Sequence, residues 1–62
     1  MFAVRIRPGK VNGITSNRQR IWVKDNRHSF YVKKAERGLW TSEKDAYDAI
    51  SEPWEIVVEI KD

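Results

Sequence analysis

Residues 20–33 read RIWVKDNRHSFYVK. Two runs that alternate with a period of two flank Asp25-Asn26, the pattern of two strands joined by a tight turn. Ile21 and Val23 share one column. Arg20, Trp22 and Lys24 share the other, so the largest apolar side chain of the segment stands among cations. A two-residue loop at Asp25-Asn26 sets Ile21 opposite Phe30, Val23 opposite His28, Trp22 opposite Ser29 and Arg20 opposite Tyr31. That register unites the apolar columns and brings Arg20 within cation–π reach of Tyr31.

Upstream, FAVRIR (residues 2–7) alternates in the same way, with Phe2, Val4 and Ile6 on one face and Arg5 and Arg7 on the other. Turn signals at Pro8-Gly9 and Asn12-Gly13 separate it from the strand 18–24. If Asn12-Gly13 closes this first hairpin, Val4 faces Ile21 and Ile6 faces Gln19. Arg5 then falls opposite Arg20, and Arg7 opposite Arg18. Like charges in directly opposed positions destabilise a sheet, and a polyanion laid over the face would relieve them.

Downstream the pattern becomes helical. Ser42 is an N-cap with Asp45 three residues later, Glu43 and Asp45 suit the positive first turn, and Ala46, Ala49 and Ile50 form an apolar stripe. Pro53 ends the helix at or before Glu52. WEIVVEI (residues 54–60) then alternates again, with Trp54, Ile56, Val58 and Ile60 inward and Glu55, Val57 and Glu59 outward. A right-handed crossover places this last strand parallel to the first. The expected architecture is an α+β fold of order β-β-β-α-β: a three-stranded antiparallel sheet, a C-terminal strand, and one helix on the apolar face. Residues 1–62 form a single domain.

Composition narrows the function. With 62 residues and no cysteine, the core rests on apolar packing alone, and disulfides and thiolate metal sites are excluded. No apolar run approaches the roughly 18 residues of a membrane span, and no signal-peptide pattern follows Met1. The expectation is a soluble cytoplasmic protein. The net charge of +3 conceals a split. Residues 1–40 carry ten cations (Arg5, Arg7, Lys10, Arg18, Arg20, Lys24, Arg27, Lys33, Lys34, Arg37) against Asp25 and Glu36, whereas residues 41–62 carry seven acids against Lys44 and Lys61. Such asymmetry suits a polyanion-binding half, or two halves that neutralise each other.

Catalysis finds little support. His28 is the one histidine, and its inner column reads as structural. A ribonuclease using His28 with Lys24 or Lys33 is the enzymatic alternative. No ligands cluster for a metal, no phosphate-binding glycine loop occurs, and no cofactor is expected. Lys10 sits in an ordinary hairpin loop or touches a backbone phosphate.

The informative constellation is the outer sheet face: Arg5, Arg7, Arg18, Arg20, Trp22, Lys24, Tyr31 and Lys33. Cations neutralise phosphates, arginine reads guanine edges, and aromatic rings stack on bases. The expected function is therefore a small non-enzymatic nucleic-acid-binding protein, with DNA favoured over RNA. The alternative is a protein-binding module or inhibitor that presents the same face, or an edge strand, to an acidic partner. An unpaired edge strand would also permit a homodimer. Two structural readings compete with both functions: Glu55 and Glu59 pair with Arg5 and Arg7, or Trp22 is lidded by Val11 or Ile14 of the 8–17 loop.

The stretch RIWVKDNRHSFYVKKAERGLWTSEKDAYDAI, about half the chain, resembles the AP2-like DNA-binding domains at the N-termini of tyrosine integrases. The resemblance implies a three-stranded sheet laid in the major groove, with Arg18, Arg20, Trp22, Tyr31 and Lys33 facing DNA and the helix behind. It also suggests a phage or mobile-element origin. The strand expected after the helix, the acidic helix and the expectation of no attached catalytic domain depart from that family.

Overall fold

In the computed structural model, which describes residues 1–25 and 30–61, FAVRI forms β1 (Phe2–Ile6) and EIVVE forms β2 (Glu55–Glu59). The strands pair antiparallel, with Phe2 opposite Glu59, Val4 opposite Val57 and Ile6 opposite Glu55. Two separate stretches meet the other edge of β1. Trp22 lies opposite Arg5, flanked by bonds of 2.9 Å from the Ile6 amide to the Ile21 carbonyl and from the Val23 amide to the Val4 carbonyl. Trp40 lies opposite Phe2 through two reciprocal bonds of 2.8 Å, and Trp22 exchanges bonds with Val32 on its far side.

The β-β-β-α-β expectation with its three-stranded sheet is thus corrected. Among the described residues the one ladder is two-stranded, and segments 18–24 and 30–33 join it through single bridges. The first hairpin turn is absent because residues 8–14 coil into a 3-10 turn (Pro8–Lys10) and a short helix α1 (Val11–Ile14). That detour shifts the first register by two residues: Arg5 meets Trp22 rather than Arg20, and like-charge repulsion gives way to a guanidinium–indole pair. The second register moves by three, so Trp22 meets Val32 instead of Ser29. An odd shift exchanges faces. Tyr31 therefore joins the core, while Phe30, expected inside, is 64% exposed. The Asp25-Asn26 turn, Arg27, His28 and Ser29 lie partly or wholly outside the described residues.

The last strand runs antiparallel rather than parallel to β1, for a traceable reason. After Val32 the chain makes a 3-10 turn at Lys34–Glu36 and runs back so that Trp40 pairs with Phe2. This added reversal starts the helix at the Phe2 end of β1, and the chain emerges at the other end, where the Arg7 amide donates to the Trp54 carbonyl at 2.8 Å. From there β2 can only run back. The reversal depends on Gly38: a Cβ there would lie 1.9 Å from the Lys24 carbonyl oxygen.

The helix α2 (Glu43–Asp48) is capped as expected, the Asp45 amide donating to Ser42 Oγ at 3.1 Å. Six residues cannot sustain a helix in water. It is held by Ala46 and Ala49, buried against Val4 and Val23, with Phe2, Trp40, Ile50 and Val57 around them. Alanines at both positions let the helix approach the strands closely.

Because β2 is antiparallel and Ile6 faces Glu55, its side-chain assignment also inverts. Glu55, Val57 and Glu59 share the face of Ile6, Val4 and Phe2, whereas Ile56 and Val58 share that of Arg5 and Ala3. The proposed pairing of Glu55 and Glu59 with Arg5 and Arg7 is excluded by this geometry, since the carboxylates of β2 project from the opposite face to Arg5.

Candidate functional site

Trp22 stands on the face away from α2. Its position opposite Arg5 is a non-hydrogen-bonded pair, the type in which facing side chains approach most closely. The Arg5 guanidinium carbon sits 5.6 Å from the Trp22 ring centre, and that of Arg37, delivered by the turn before Gly38, sits at 4.7 Å. Arg5 is pinned further by its Nε, which donates to the Ile6 carbonyl at 2.9 Å. Each contact is worth about 0.5–1 kcal/mol at an exposed site. Together they place two cations before any ligand arrives.

Among the described residues, three shallow concavities are lined in part by cations. Trp22, Arg18, Gln19, Lys33 and Lys34 line the first. Arg18 continues into the second, which it shares with Arg5, Asn12, Val11 and Ile21. No acidic side chain lines either. The third is bounded by Arg20, Tyr31, Phe30 and Ile14. The structure thus brings together Arg5, Arg18, Trp22 and Lys33 of the expected set. Arg20 and Tyr31 form a separate group, and Arg7 and Lys24 are exposed but line none of the three. Val11 and Ile14 border neighbouring concavities, and the groups over the Trp22 ring are guanidiniums.

Tyr31 has a different task. Its hydroxyl donates to Glu55 Oε2 at 2.6 Å and accepts from Trp54 Nε1 at 2.8 Å. Burial, then the bond to Glu55, push the phenol up to about 12, against a smaller opposing effect of the Trp54 bond. Glu55 is only 4% exposed and also accepts from the Ser51 amide at 3.0 Å. These bonds tie segment 30–33 to the start of β2.

Sequence reasoning missed Arg37, Lys34 and Glu55. The first two lie outside the strand columns, in a turn whose path only Gly38 betrays. The apolar Val57 between Glu55 and Glu59 was the one signal that the glutamate column faces inward. Among the described residues no helix is long and apolar enough to cross a membrane, and no three His, Asp or Glu side chains gather as metal ligands would. The chain matches no family model, no curated protein and no solved structure.

Proposed function

We propose that this protein binds nucleic acid without catalysis, DNA being the favoured form, by gripping phosphates with the cations around Trp22. The observation that carries the reading is the pair of guanidinium groups, Arg5 and Arg37, held over one indole beside Arg18, Lys33 and Lys34. Ordered arginines lose less freedom when they bind a phosphate than mobile ones do, and their planar forks match its oxygens. Trp22 serves first to set these forks. Tyr31, whose hydroxyl is taken up by Glu55 and Trp54, stands outside the contact set.

Fluorescence anisotropy with labelled oligonucleotides tests the reading. Affinity should fall with salt by about 0.7–0.9 log units per log unit for each phosphate neutralised. The double variant K33E/K34E, at two exposed positions, should weaken binding without unfolding the chain. Absence of binding to any DNA or RNA at low salt would refute it.

One observation favours a second reading. Ile56 and Val58, half-buried, lie on the same face as Arg5, and Leu39 is exposed beside Trp40. An apolar strip edged by arginines also fits an acidic protein surface. A complex that persists after nuclease digestion and is lost in K33E/K34E would select that reading.

A further inference from the structure

The cations around Trp22 line recesses rather than a protruding element, and this bears on the form of nucleic acid that fits. The inference rests on the nucleic-acid reading above. Proteins that read duplex DNA with a sheet or helix insert it into a major groove about 12 Å wide. Here Trp22 is half-buried, and Arg18, Lys33 and Lys34 stand along a concavity of about 290 Å³. Arg18 also borders the adjoining concavity of about 370 Å³, which leads to Arg5 and Asn12. Both are open and shallow, so they form a surface path rather than an enclosing pocket. In a rigid duplex the bases are paired and stacked on one another, so they are not available to the planar groups around Trp22. A single strand can bend into both concavities.

We infer that the protein binds single-stranded nucleic acid along a continuous track. The track runs from Lys33 and Lys34, past Trp22 and Arg18, to Arg5. Arg18 joins its halves. The Arg5 guanidinium, fixed by the Ile6 carbonyl and the indole, ends it with terminal nitrogens that make no bond to the described residues. A charged groove that follows the backbone, with planar groups for unpaired bases, is the general design of single-strand binders. The guanidinium planes over Trp22 offer bases such a surface. With extents of 29 × 23 × 20 Å, the protein spans a site of about four nucleotides, at the short end of the range for single-strand modules.

The test is anisotropy at low salt with three labelled probes of one sequence: a DNA strand, that strand annealed to its complement, and the RNA strand. The full chain is used, with circular dichroism confirming that each variant folds. The single DNA strand should bind at least about tenfold more tightly than the duplex. Tighter RNA binding would identify RNA as the source of the strand and support the same track. R18E should weaken single-strand binding about tenfold or more through loss of phosphate contacts, whereas K44E, on α2 across the molecule, should change it little. Duplex binding equal to or tighter than single-strand binding overturns the inference and leaves the nucleic-acid reading standing. So does an R18E loss no greater than that of K44E. No binding to any probe overturns both.

Discussion

Replacing Tyr31 by Phe deletes one oxygen from the junction of residue 31, Trp54 and Glu55. The hydroxyl donates to a buried carboxylate at 2.6 Å and accepts from an indole at 2.8 Å. A hydrogen bond to a charged group contributes about 1.5–3 kcal/mol, and a neutral one about 1 kcal/mol. Glu55 keeps its bond from the Ser51 amide, and water can replace part of what half-buried Trp54 loses. The expected cost is about 2–4 kcal/mol. Domains of this size rarely hold more than about 3–5 kcal/mol in total, so Tyr31→Phe should melt roughly 10–25 °C lower, at about 4–8 °C per kcal/mol. Urea and thermal melts followed by tryptophan fluorescence and circular dichroism measure this. Tyr47→Phe, at an exposed helix position, serves as the control and should stay within about 0.5 kcal/mol. A Tyr31→Phe variant as stable as the parent would refute the assigned role of the hydroxyl.

The same bond predicts an alkaline limit. The Tyr31 phenol is raised from 10.0 to about 12 in the fold, so the native state holds this proton more tightly than the unfolded chain. Its stabilisation is complete below pH 10 and is lost as pH rises through about 12. Stability measured across that window should fall more steeply in the parent than in Tyr31→Phe. Gly38→Ala places a methyl 1.9 Å from the Lys24 carbonyl oxygen and must separate segment 37–40 from the backbone at Lys24. A loss above about 2 kcal/mol is expected in denaturant melts, where an exposed Gly→Ala change would cost far less. Ser42→Ala removes the acceptor for the Asp45 amide and should cost about 1 kcal/mol, with Ser42→Asp restoring most of it.

Much of the local structure was legible because its causes are local. FAVRI alternates and forms β1, Ser42 caps α2, and Ala46, Ala49 and Ile50 face the core. The column containing Arg5 and Trp22 was also legible, since the first register moved by an even number of residues and kept both on one face. The partners of that column were not. Arg37 reaches Trp22 through a turn with no period to read, and Glu55 is carried inward by the direction of its whole strand.

Alternation by itself determined which residues of this chain can share a face of a strand, and the charge split between residues 1–40 and 41–62 determined that some cationic surface must exist. Tertiary structure decided which faces meet. One close approach, Gly38 against the Lys24 carbonyl, allows a reversal of the chain before α2. That reversal turns β2 from parallel to antiparallel, buries Glu55 beneath Tyr31, and moves Ile56 beside Arg5. A period of two specifies a strand's faces but not its direction or its neighbour, and those depend on contacts between residues far apart in sequence. The cations around Trp22 are therefore left free of the glutamates of β2, which lie on the other side of the sheet.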